Sequence, residues 1–175
     1  MSRKHQPSSP QPGSTITGSD PVLALDLGQN TGWAIRDGTG QIISGTQRFK
    51  PGRFEGGGMP LLRFVAWLNE LQRGVGPLGG VFFEEVRAHK GTAAAHAYGA
   101  FLGHLAAWCE SVGVPYQGVP VATIKRSATG RGNAGKDEVI SAMHSLGFDP
   151  GDDNEADALA LLHFACRGDV GALTA

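Results

Sequence analysis

Three groups of carboxylates stand where a folded chain would present them together. Asp26 closes the apolar run VLALDL (22–27), Glu84 and Glu85 close GVFFEEV (80–86), and Asp152, Asp153, Glu155 and Asp157 crowd the start of an apolar, helix-like stretch. Hydrolysing a phosphodiester requires an activated water and a stabilised leaving oxygen, and two divalent ions about 3.5–4 Å apart provide both. Hard ions such as Mg²⁺ take oxygen ligands from a few carboxylates, from waters and from the phosphate itself. Acids drawn from two strand ends and one helix start suit that chemistry.

Each group also has a purely structural explanation. Asp26 precedes Gly28 and serves equally well as a turn residue, although the carboxyl end of a central strand opens onto the crevice where α/β sheets hold ligands. Side chains alternate along a strand, so one of Glu84 and Glu85 shares the side of Asp26 and the other points away. Asn154 as N-cap with Asp157 three residues on resembles a capping box, and acids suit the positive end of a helix. Asp153 and Asp157, four apart, nevertheless share a helical face as like charges. That arrangement costs about 0.2–0.5 kcal/mol unless a cation lies between them. Capping accounts for one or two of these acids, not four.

The elements that must position the acids follow from pattern. VLALDL reads as a buried strand, residues 32–36 (GWAIR) and 41–48 (QIISGTQR) as two more, and the intervening DGTG as a hairpin turn. Leu61, Val65, Leu68 and Leu71 recur at helical spacing over 61–72. Residues 80–86 form the next strand, 92–111 an alanine-rich helix, 114–119 a strand, 136–146 an amphipathic helix and 154–167 the last helix. The order β-β-β-α-β-α-β-α-α implies an α/β fold with a mixed sheet and helices on its faces.

The chain has 175 residues, 41% hydrophobic and 18% charged, which suits one globular domain with a real core. Residues 1–20, rich in Ser, Pro and Gly, read as a disordered tail; the domain is expected over 21–168, with a flexible end at 169–175. A formal net charge of -1 means that any nucleic-acid footprint must be a local basic patch. Cys109 and Cys166 read as buried reduced thiols, and the histidines show no zinc spacing. No stretch approaches a membrane span and no apolar leader is visible, so a cytoplasmic protein is expected.

Four segments together resemble the RuvC-type Holliday junction resolvases, of the ribonuclease H-like nuclease superfamily. DLGQNTGWA (26–34) is similar to their first-strand motif, D-x-G-x-x-x-T-G-x-x, with one residue fewer before the threonine, and FEEV (83–86) to their second. KRSATGRGNAGKDEV (125–139) matches the stretch K-x-x-x-x-G-x-G-x-x-x-K-x-x-V without a gap, and ADALA (156–160) looks like the fourth. The resemblance implies a ribonuclease H-like fold with a mixed five-stranded sheet. It also implies a homodimer that nicks four-way DNA junctions symmetrically, and two Mg²⁺ ions per active site, with Mn²⁺ as the alternative. It assigns the catalytic and metal-ligating roles to Asp26, Glu84 and Asp157 plus one acid upstream. Where many relatives have an acid or histidine three residues before the last aspartate, this chain has Asn154. Asp153 is therefore taken as the fourth ligand and Asn154 as a weaker oxygen donor. Three residues after the glutamate, where some relatives carry a base-stacking aromatic, stands Arg87.

Lys125, Arg126, Arg131 and Lys136 gather around Gly130 and Gly132, where backbone can approach phosphates. With Arg87 they form the expected DNA-binding set, anchoring the strand without reading its sequence. Arg87, His89 and Lys90 make a smaller basic patch. Lys136 near a helix start is misplaced with respect to the helix dipole, which calls for a phosphate or carboxylate partner. Trp33, Trp67 and Trp108 suit core or dimer packing. The competing readings are a nuclease of the same fold acting on RNA–DNA hybrids or flaps, and an inactive junction-binding scaffold. An actin-like kinase would need a second half that this chain lacks.

Overall fold

The computed structural model describes residues 20–86 and 91–167. The expected tail up to residue 19 and the C-terminal segment 169–175 lie outside the described residues, as do Arg87, His89 and Lys90. The elements are β1 (Val22–Asp26), β2 (Asn30–Arg36), β3 (Ile42–Arg48), α1 (Met59–Val75), β4 (Gly80–Glu85), α2 (Thr92–Val112), β5 (Tyr116–Pro120), α3 (Val121–Thr129), α4 (Lys136–Ser145) and α5 (Asp153–Cys166). The strands form a five-stranded sheet in the order β3-β2-β1-β4-β5. β2 is antiparallel to β1 and β3, while β4 is parallel to β1 and β5, giving the mixed sheet that the element order implied.

α3 is the element that periodicity does not reveal. Its sequence, VATIKRSAT, is short and rich in β-branched residues, which lower helix propensity. Burial of Ile124 overrides that preference, and Gly130 at φ +80 ends the helix in the left-handed region. β5 also begins two residues later than expected and runs directly into α3 through Pro120, the N-cap.

Alternation along the strands divides the interior in two. Val22, Ala24, Ala34, Phe82 and Val119 pack with Ile124, Val139, Met143, Leu159 and Leu162 from α3, α4 and α5. Leu23, Leu25, Ile35, Val81 and Phe83 pack with Phe64 and Leu68 of α1 and with Phe101, Leu105 and Trp108 of α2. Helices therefore cover both faces. The tryptophans belong to the second cluster: Trp108 is buried and donates to Asn69 Oδ1 at 2.8 Å, and Trp33 and Trp67 meet edge to face. Cys109 is buried and Cys166 half-buried, both as free thiols. Among the described residues no helix is long and apolar enough to cross a membrane.

Candidate active site

The two-residue period of a strand carries the site. Val22 and Ala24 face α5, so Asp26 at the end of β1 continues that row; Phe82 faces α5, so Glu84 continues the row on β4. The parallel register ends at Leu25 opposite Phe83. One further step sets Asp26 abreast of Glu84 on strands about 4.8 Å apart. Glu85 falls on the opposite row, that of Phe83, and its Cβ approaches Gly118 of β5. The alternation assigns Glu84, not Glu85, to the side of Asp26.

The third contribution comes from the first turns of α5. Gly32 pairs with Asp26 across β1 and β2, and a Cβ built on it would lie 1.9 Å from the carbonyl oxygen of Asn154. No residue but glycine lets the helix approach β2 this closely. Beside it the Thr31 side chain is fully buried and donates to the Gly28 carbonyl at 2.7 Å, closing the turn that follows Asp26. The glycine and threonine of the first motif thus hold the helix start over the strand end. Their structural importance was not evident from their residue types, because the close approach involves a segment more than 100 positions away.

The N-terminus of α5 differs from the capping box that Asn154 suggested. Asp152 is the N-cap, its carboxylate accepting from the Glu155 backbone N–H at 2.9 Å, and Asn154 lies inside the first turn. Asp152 also accepts from the Thr46 hydroxyl at 2.6 Å, and Glu155 accepts from the Ser44 hydroxyl at 2.6 Å. Burial works to raise the pKa of Asp152, but the hydrogen bonds from Thr46, Glu155 and Asn154 outweigh it and hold the carboxyl below its usual range. Two of the four acids therefore cap the helix and fasten it to β3. Asp153 and Asp157 are left for the crevice.

Electrostatics tie these acids together. Burial, reinforced by Asp157 and Asp153, pushes Asp26 up to about 7 against the pull of Lys136. Burial, with Asp26 and Asp157 beside it, pushes Glu84 up to about 9, opposed by Lys125. Asp157 is raised as well, first by burial and then by Asp153, with Lys125 and Lys136 pulling down. Asp157 lies close enough to raise both Asp26 and Glu84, and Asp26 close enough to raise Glu84, so the three carboxyls share one poorly solvated crevice.

The basic residues take several postures. Lys125 is half-buried and donates to the Ala134 carbonyl at 2.8 Å, close enough to Glu84 and Asp157 to lower both. Lys136 is exposed and ion-paired with Asp153, the carboxylate partner that its position at a helix start called for; that hydrogen bond raises its pKa. Arg131 pairs with Glu138 at 2.9 Å in solvent, and Arg126 is exposed near the end of α3. Arg87 lies outside the described residues.

Among the described residues no three ligand-type side chains already surround one point as a finished metal cage. The donor set still fits hard divalent cations. Its side chains offer oxygen alone, and Glu84, 6% exposed, has a buried Oε1 with no hydrogen-bond partner. A buried carboxylate oxygen without a donor is costly, and a cation would satisfy it. Asp26, Glu84, Asp157 and, across the Lys136 pair, Asp153 are the residues able to hold such ions.

No family model and no curated relative matches the chain. Solved structures do. Thermus thermophilus RuvC in complex with a Holliday junction substrate aligns with a TM-score of 0.72 and 24% identity, covering 87% of this chain and 96% of that one. A further structure of T. thermophilus RuvC aligns at 0.68 and 25% identity, over 86% and 96%. The mitochondrial Holliday junction resolvase of yeast aligns at 0.63 with 12% identity, over 90% and 82%. The chain therefore has the RuvC fold, the ribonuclease H-like architecture that its four motifs imply.

Proposed function

We propose that this RuvC-fold chain is a structure-selective endonuclease that hydrolyses phosphodiester bonds in four-way junctions and related branched DNA. One observation carries the reading: Asp26 and Asp157, half-buried, lie close to the buried Glu84 at the strand ends, and a Glu84 oxygen there has no protein partner. The likeness to RuvC, solved with a Holliday junction substrate, supports the choice of DNA.

Asp26, Glu84, Asp153 and Asp157 bind the ions, with Asn154 as a weaker oxygen donor. Two Mg²⁺ ions, or Mn²⁺ in their place, would supply an activated water and offset the charge on the leaving oxygen. Lys125, anchored on the Ala134 carbonyl, moderates the negative charge of Glu84 and Asp157 from within. Lys136 pairs with Asp153 and is long and exposed enough to turn to a phosphate. Arg126 and Arg131, both exposed, anchor the backbone, and Arg87 completes the DNA-binding set. Phosphate contacts of this kind fix position and carry no sequence information, which suits selection by shape.

Paired nicks across a junction require two sites, so the working unit is a homodimer. On α2, Gly99, Gly103 and Ala107 form an exposed stripe at four-residue spacing, and a Cβ added to either glycine meets nothing within 4 Å. That stripe allows a second helix to approach closely. Gly103→Leu should leave the fold intact and split the pair in sedimentation; a wild type that is monomeric yet makes paired nicks would remove the dimer from the scheme.

The nuclease is tested with a labelled immobile junction beside duplex, flap and RNA–DNA hybrid controls, with and without Mg²⁺. The junction should be cut, only with metal, and Asp26→Asn should abolish cutting while sparing binding. Equal cutting of hybrid and junction would replace the substrate, and retained cutting by Asp26→Asn would remove that residue from the site.

A further inference from the structure

The loop between β3 and α1 presents an aromatic ring that the proposed chemistry does not use. Phe54 is 93% exposed, the most open of the large apolar side chains among the described residues. The loop around it is nonetheless built. Glu55 pairs with Arg63 of α1 and accepts from the Gly52 N–H at 2.7 Å, its own N–H donates to the Gly52 carbonyl at 3.1 Å, and Arg63 donates to the Lys50 carbonyl at 3.2 Å. The loop thus holds its shape while its ring stays in water. The Arg53 guanidinium stands 5.4 Å from the ring centroid, within cation–π range.

Topology sets this loop at the reacting end of the sheet. β3 runs toward the acids, with Arg48 opposite Asn30, and the Phe49 N–H donates to the Gln29 carbonyl at 2.7 Å, beside the turn that follows Asp26. Arg48, Lys50 and Arg53 are all exposed there. Glu55, the one acid between residues 48 and 58, is already taken by Arg63. The result is a basic rim around an open aromatic face, the combination that binds single-stranded nucleic acid by stacking and phosphate contact.

We propose that Phe54 is a stacking platform for an unpaired base of the bound DNA, with Arg48, Lys50 and Arg53 on the neighbouring phosphates. This rests on the nuclease reading and adds a second contact region on the DNA, on the β3 side of the acids. Stacking is tolerant of base identity because every base has a π-face, so the platform selects locally unpaired DNA and not a sequence.

The test uses the full-length chain and junctions carrying 2-aminopurine at the crossover. Binding of the wild type without divalent metal should raise the fluorophore's emission as its base leaves the stack. Phe54→Ala should lose that rise and cut the intact junction about tenfold more slowly. Phe54→Trp should restore both, and a junction with unpaired bases at the crossover should rescue Phe54→Ala. Wild-type cutting and an unchanged 2-aminopurine signal in Phe54→Ala would overturn the platform while leaving the nuclease standing. A wild type that cuts no branched DNA would overturn the nuclease reading instead; single-strand affinity, measured by anisotropy, would then decide the platform alone, with equal binding by wild type and Phe54→Ala ending it. A fall from dimer to monomer in Phe54→Ala would also overturn it, by making the ring a contact between two copies.

Discussion

The two faces of the central sheet are built from the same strands and do opposite work. On the α1 and α2 side the alternate residues are large, and Phe49, Phe64 and Phe101 stack in mutual edge and tilted contacts with centroids 5.1–5.8 Å apart. The α5 side also holds large residues such as Phe82 and Leu159, but it is rich in small ones: Ala24, Ala34, Ala156, Ala158 and Ala160 let the helix lie close against β1 and β2. That face then ends in Asp26, Glu84 and Asp157. One side gains stability from apolar area and aromatic contact. The other gives up volume to closeness, and it places carboxylates where burial penalises their charge.

The sharpest way to break this comparison is to change the acids at the boundary between the faces. Glu84→Gln should lower the cleavage rate about a thousandfold or more, roughly 4 kcal/mol of barrier. Glu85→Gln, on the other row, should stay within about tenfold, as measured on a labelled junction under single-turnover conditions. The reverse ranking would mean that the wrong glutamate faces Asp26. Packing comes next. Gly32→Ala should destabilise the fold by about 3 kcal/mol and also remove cleavage, because Asn154 cannot retreat without carrying Asp153 and Asp157 with it. Phe64→Ala should cost about 3–5 kcal/mol in denaturant unfolding yet leave the Mg²⁺-induced rise in Tm in place. If both variants lost that rise equally, the two faces would not be separable.

A smaller effect comes from protonation. Asp26, raised from 3.8 to about 7, and Glu84, raised from 4.5 to about 9, hold protons in the folded chain that the unfolded chain has released. Their folded-state pKa values lie above the unfolded ones, so stability is full below the unfolded pKa values and is lost as pH rises through the folded ones. With chelator present, Tm should fall between about pH 5 and 9; Mg²⁺ should recover most at the upper end, and Asp26→Asn should flatten the profile. A Tm that rises across that range would contradict the burial of these carboxyls. The mildest change is Lys136→Ala, which should weaken junction binding and reduce the slope of log affinity against log salt by about 1. An unaltered slope would confine Lys136 to its pairing with Asp153.

Much of this was legible in the residues. The alternation of GVFFEEV already put Glu84 and Glu85 on opposite sides, with the choice of Glu84 resting on the family resemblance, and four-residue spacing already placed Asp153 and Asp157 on one face. The excess of acids at the start of α5 was visible as an excess, but not which acids were spent on what. Ser44 and Thr46, which claim Glu155 and Asp152, lie more than 100 residues away, and nothing local marks such a hydroxyl. The same distance hid Asp152 as the cap, since Asn154 is as good a capping residue by type. α3 stayed hidden for a related reason: its own propensity argues against a helix, and only the buried contact of Ile124 reverses the balance.

Local pattern alone determined every strand and, α3 apart, every helix, the faces they bury and the residues whose chemistry is that of a hard-metal site. Those properties follow from dihedral preference and a two- or 3.6-residue period, which act over a few neighbours. Tertiary structure decided which acids share a pocket, how far burial raises their pKa values and which of them are consumed by hydroxyls on β3. Those outcomes depend on desolvation and on through-space charge, and both are set by groups that meet only when the chain has closed.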